Sequence, residues 1–121
     1  MVLVDTSVWV RFLAGKEPYV SELDHLLAEQ EVIGHDFVLG ELLIGDRGGR
    51  SKFLASYAHM TQAPVVPHDE VVELVTSRKL VGRGIGWIAA HLLASALVAH
   101  ARLWTADVPL ANLAEELGAA P

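Results

Sequence analysis

Met1-Val2-Leu3-Val4-Asp5-Thr6-Ser7-Val8-Trp9-Val10-Arg11-Phe12-Leu13 is the stretch on which the reading of the fold turns. Val2, Leu3 and Val4 make a short continuous apolar run, the pattern of a strand buried on both faces of a parallel sheet. The run stops at Asp5. Asp, Thr and Ser are favoured helix N-caps, and Val8, Phe12 and Leu13 follow at helical spacing, so the segment reads strand, tight turn, helix. In open α/β sheets ligands gather at the carboxyl ends of strands, which is where this carboxylate falls. Asp5 therefore has two readings, a capping side chain and a functional acid.

The rest of the composition bounds what such a segment can belong to. A chain of 121 residues is one domain, 1–121, long enough to bury a core without staples. There is no cysteine, which excludes a disulfide scaffold, a thiolate zinc site and a cysteine nucleophile and agrees with a cytoplasmic location. No apolar run reaches bilayer length and Met1 leads straight into the first strand, so neither a membrane span nor a signal peptide is expected. Hydrophobic residues make up 52% and mean hydropathy is +0.37, which implies apolar surface covered by a second copy or another partner. The net charge of −6 argues against a broad basic nucleic-acid surface, but a clustered acidic site that binds cations can account for part of it.

Along the chain, Ser21 to Glu29 reads as a helix and Val32-Ile33-Gly34 as a second strand. His35 and Asp36 precede the apolar segment Phe37 to Gly45, with Asp36 as its expected N-cap. Glu41 stands there among Leu39, Leu42, Leu43 and Ile44; it either faces water or needs a partner or a metal. Lys52 to Ala58 reads as a short helix, Pro64-Val65-Val66-Pro67 as a third strand, and His68-Asp69-Glu70 as the acidic start of another helix. Arg78 to Trp87 is a flexible glycine-rich loop holding the one concentrated basic stretch, so Arg78, Lys79 and Arg83 are the candidates for touching phosphates. Trp87 to Ala99 is almost wholly apolar, a buried central helix in which His91 is expected to be hydrogen-bonded. Arg102 to Thr105 is a fourth strand, and Asp107 repeats at its end the arrangement of Asp5 and Thr6. Two acids at the ends of two parallel strands can converge on one point.

Taken together, Val2-Leu-Val-Asp5-Thr6-Ser7-Val8-Trp9, Gly40-Glu41-Leu42, Gly82-Arg83-Gly84-Ile85-Gly86-Trp87 with His91-Leu92-Leu93-Ala94-Ser95, and Leu103-Trp104-Thr105-Ala106-Asp107 resemble a PIN domain of the VapC-type toxin ribonucleases. The resemblance covers essentially the whole chain. It implies an α/β fold, a central parallel sheet of about four to five strands flanked by helices, and Mg²⁺- or Mn²⁺-dependent cleavage of RNA. Asp5, Glu41 and Asp107 fall on the family's acidic, metal-binding positions. Thr6, Ser7 and Thr105 are hydroxyls placed to orient them. One position departs: where the family usually reads Asp after Gly-Ile-Gly-Trp and an aliphatic residue, this chain has Ala89. The resemblance also implies a VapB-type antitoxin as partner and, together with the high apolar fraction, a homodimer; the helix from Lys52 to Tyr57 is the expected contact.

Oxygen-only donors suit Mg²⁺, which usually keeps several waters and binds through a few carboxylates and substrate phosphate. Single-stranded RNA reaches a recessed acidic pocket more readily than a duplex. An inactive PIN fold that binds antitoxin or RNA without cutting is the competing expectation, motivated by Ala89. A receiver-like or nucleotide-binding α/β module is disfavoured, because no glycine-rich phosphate loop follows the first strand.

Overall fold

A computed structural model describes residues 1–121. The elements run β1 (Val2–Val4), α1 (Thr6–Leu13), α2 (Tyr19–Ala28), β2 (Val32–Ile33), α3 (Asp36–Ile44), α4 (Ser51–His59), α5 (His68–Ser77), α6 (Trp87–Val98), β3 (Arg102–Trp104) and α7 (Val108–Glu116). The sheet is parallel with order β2-β1-β3, so the opening strand is central. Its register pairs Leu3 with Ile33 on one side and with Leu103 on the other. Leu3 and Val4 are fully buried, as a strand covered on both faces requires.

Three strands form, not four to five. The expected strand at Pro64–Pro67 is irregular, because each proline lacks the N–H that a ladder needs. Pairing beyond β2 shrinks to a single parallel bridge between Gly34 and Gln62. Val66 is nevertheless buried, packed with Val71, Ala90 and Ala94 in a small cluster beside the main core. The outer edge of β3 is covered by the chain's end, where Leu103 N–H donates to the Ala119 carbonyl at 2.7 Å.

The expected central helix is present as α6, with every residue from Ala90 to Ala96 buried. The segment before it is less free than its glycines suggest: Leu80 is buried, and Arg83 forms a two-pronged ion pair with Glu116 of α7. The expected contact helix α4 turns Tyr57 wholly into the core, where Tyr57 and Phe53 pack on Trp9 of α1. Those two side chains are therefore spent within the domain. No helix is long and apolar enough to cross a membrane.

Candidate active site

The carboxyl ends of β1 and β3 lie side by side, and at both the chain turns directly from strand into helix. Asp5 N–H donates to the Trp104 carbonyl at 2.8 Å, locking the two turns in register. Asp5 occupies the N-cap position of α1, but its carboxylate caps nothing. Instead Oδ2 accepts from Ser7 Oγ at 2.6 Å and from Thr105 Oγ1 at 2.7 Å. Ser7 Oγ in turn accepts the Ala106 N–H, and Thr105 Oγ1 the Asp107 N–H, both at 3.0 Å. Each hydroxyl thus ties the backbone of the β3–α7 turn to one oxygen of Asp5, and Asp5 Oδ1 keeps no partner within the protein.

Glu41 arrives from α3. It is exposed, and Thr6 Oγ1 donates to its Oε1 at 2.7 Å. The partner expected for an acid among leucines is thus a single hydroxyl at the wet rim of the helix. Asp107 does act as a cap: its Oδ2 accepts the Leu110 N–H at 3.1 Å at the start of α7. In all three residues one carboxylate oxygen is fixed by the protein and the other is free of hydrogen bonds.

Asp5, Glu41, Asp107 and Ala89 line one cleft of about 400 Å³. Ala89 is the third residue of α6, whose N-cap is Gly86 with no side-chain cap and whose first turn holds no acid. No cation of the protein pairs with the three carboxylates; the ion pairs are Met1 with Glu31 and Arg83 with Glu116. The donor chemistry fits a hard divalent ion, since every free group is a carboxylate oxygen. No three acidic or imidazole side chains are grouped closely enough to enclose an ion alone. That arrangement suits an ion held by one or two carboxylates with water and a phosphate completing its shell.

Of the expected phosphate-contacting residues, Arg78, Lys79 and Arg83 are all exposed; the first two form no ion pair, while Arg83 is bound to Glu116. Asp36 is the first residue of α3 and is exposed, and the cap expected of it is supplied by His35. The wholly buried His35 accepts the Phe37 N–H on Nδ1 at 3.0 Å, which leaves Nε2 protonated to donate to Ser95 Oγ of α6 at 2.9 Å. Its own N–H donates to the Tyr57 hydroxyl at 2.9 Å. One residue therefore joins three helices, its imidazole reaching α3 and α6 and its backbone N–H reaching Tyr57 of α4. Histidine is not among the favoured caps, so sequence pattern gave no signal for this role. Burial holds the His35 pKa below the ordinary range, with Asp36 opposing and His91 adding to the effect. His91 is buried too, but its Nδ1 has no partner, contrary to the hydrogen-bonded expectation. Its ring packs against Phe37 and Trp87, and burial followed by repulsion from His68 lowers its pKa.

Residues 2–116 match the family model described as PIN domain. The chain is also 45% identical over 121 residues to ribonuclease VapC32 of Mycobacterium tuberculosis, in strains CDC 1551 / Oshkosh and ATCC 25618 / H37Rv alike. Each alignment covers 99% of this chain and 95% of the relative.

Proposed function

The chain belongs to the PIN-domain family, and on that premise we propose that it is a divalent-metal-dependent endoribonuclease, the toxin of a toxin–antitoxin pair, acting on RNA phosphodiester bonds in the cytoplasm. The observation that carries this reading is the convergence of Asp5, Glu41 and Asp107, from three separate elements, on one cleft with one free oxygen each and no neutralising cation. Mg²⁺ or Mn²⁺ would be held from among Asp5, Glu41 and Asp107, one or two carboxylates at a time, with water and substrate phosphate filling the rest of its shell. When bound, such an ion activates water for attack on phosphorus and neutralises charge on the leaving oxygen.

The protein's own part is positioning. Ser7 and Thr105 fix the rotation of the Asp5 carboxylate, and Thr6 fixes that of Glu41, so the free oxygens are aimed before substrate arrives. The uncapped N-terminus of α6 opens on the same cleft, and its free N–H groups and dipole favour a phosphate there. Arg78, Lys79 and Arg83 would hold the RNA backbone further along. No side chain acts as a covalent nucleophile in this scheme.

A second reading is favoured by Ala89: with the family's usual acid missing from the cleft wall, the protein would bind RNA or antitoxin and cut slowly or not at all. Titration with Mn²⁺ and a cleavage assay separate the two. Binding of the ion with cleavage abolished by Asp5→Asn supports the enzyme, and neither binding nor cleavage supports the scaffold.

The partners follow from the same premise. A groove of about 280 Å³ beside α1 and α3 is lined by Val10, Leu13 and Leu42, with Glu41, Arg47 and Arg50 also in its wall. Ile44 beside it is 88% exposed. A VapB-type antitoxin with an apolar segment and an Arg or Lys aimed at the acidic cleft fits these features. Recovery of the chain from its source as a soluble, partner-free monomer would count against both the antitoxin and the homodimer.

A further inference from the structure

We propose that Trp87 is the platform on which a nucleobase of single-stranded RNA stacks while the adjoining phosphate enters the acidic cleft. This rests on the ribonuclease reading and adds to it the residue that grips the substrate's base. Trp87 opens α6 and lines the same cleft as the three carboxylates, yet it is 42% exposed. Of the other two tryptophans, Trp9 is 1% exposed and fills the core, and Trp104 is half-buried and stacked on Tyr19.

The exposed indole is held in place. Its ring meets His91 edge-on, with centroids 5.1 Å apart and planes at 88°, and His68 at 5.2 Å and 55°. His91 is itself buried and packed against Phe37 at 4.8 Å, so the support reaches into the core. A fixed aromatic side chain with open surface loses little freedom on binding, and every base has a face that can stack on it. Gly84, Gly86 and Ala89 keep part of the wall low beside it, while Ile88 and Leu110 are the larger apolar side chains of the lining. Carboxylates alone would repel an RNA strand. An aromatic surface in the same cleft supplies attraction that does not depend on charge, and that an unpaired base can use where a stacked duplex cannot.

The test measures binding of short single-stranded RNA to the whole chain in Mn²⁺, using Trp87→Leu and Trp87→Phe with thermal melting as a control for folding. The oligonucleotides include a set in which each base in turn is replaced by an abasic site. Trp87→Leu should weaken binding about tenfold, in line with the cost of removing one base–aromatic stack, while Trp87→Phe stays within about threefold of the parent. One abasic position should cost the parent a similar factor and cost Trp87→Leu almost nothing, a non-additivity that a merely structural tryptophan would not produce. If Trp87→Leu proves unfolded, quenching of tryptophan emission by the RNA, present in the parent and absent from Trp87→Phe, which keeps only Trp9 and Trp104, decides the matter. RNA binding that is unchanged in folded Trp87→Leu, or additive with every abasic site, overturns the stacking role and leaves the ribonuclease reading standing. Failure of the parent itself to bind any RNA overturns both.

Discussion

Thr105 donates its hydroxyl to Oδ2 of Asp5 at 2.7 Å across 100 positions of sequence, joining the two strand ends that form the acidic cleft. Thr105 Oγ1 also accepts the Asp107 N–H, so a single hydroxyl orients one acid and anchors the backbone of another. Thr105→Val keeps shape and removes both bonds. It is expected to lower RNA cleavage by ten- to a hundredfold, as loss of an orienting group behind a metal ligand does, and stability by about 1 kcal/mol. Thr105→Ser should restore most of the rate. Parallel cleavage and melting measurements on the two variants check this, and equal rates in both would remove Thr105 from the positioning scheme.

His35 and His91 both have pKa values lowered from 6.5 by burial, which means that folding favours their neutral forms. The stability they contribute is complete above the unfolded value near 6.5 and is lost as pH falls below it, since the unfolded chain then binds the protons. The melting temperature should therefore be flat from pH 7 to 8 and fall towards pH 5. His35→Asn retains a capable N-cap for α3 but loses the bond to Ser95. It should be less stable than the parent at pH 7 and show a shallower fall on acidification, His91 accounting for what remains. A slope identical to the parent's would show that His35 is not one of the titrating groups.

Much of this was legible in the chain because the informative residues sit where periodicity breaks. Val2 to Asp5 announces its strand and turn, and Trp87 to Val98 is apolar on every face because α6 is buried on every face through its middle. What pattern could not supply was pairing. Val65 and Val66 look like a strand, but the prolines on either side remove donors, and only the structure shows that Val66 is buried without a ladder. Nor could it tell that Asp5, at a capping position, would turn to Ser7 and Thr105 while Asp107, at the equivalent place, would cap. That choice depends on where two hydroxyls lie in space. The three-way clamp at His35 was invisible for the same reason.

Arg78 and Lys79 are exposed and without carboxylate partners, whereas Arg83 is committed to Glu116. Each phosphate contact on single-stranded nucleic acid contributes about 0.7 to the slope of log affinity against log salt. Replacing both Arg78 and Lys79 by Gln should reduce that slope by about 1.4, with weaker RNA binding at low salt. Arg83→Gln should change the slope less and cost some stability through the lost ion pair with Glu116. Binding titrations over a range of salt concentrations give all three values, and an unchanged slope in the double variant would place the RNA backbone elsewhere.

Ala89 offers the sharpest test of the cleft, because its methyl group stands in the wall shared by Asp5, Glu41 and Asp107. Ala89→Asp adds a fourth carboxylate at the third position of α6, a first turn that holds no acid. The helix dipole favours a negative charge there by about 0.3–1 kcal/mol, and repulsion from the other carboxylates opposes it. Repulsion from three acids should prevail over one dipole, so the metal-free variant is expected to melt slightly below the parent. Mn²⁺ or Mg²⁺ should reverse the order, since the ion binds only the folded cleft and now has an additional ligand. Cleavage should rise at least about tenfold, and expression without antitoxin should become more toxic. Ala89→Asn, which adds bulk and an oxygen without charge, should give only a small part of these gains. A cleavage rate unaffected by Ala89→Asp, alongside a ready parental activity that Asp5→Asn abolishes, would show that the three acids already form a complete site.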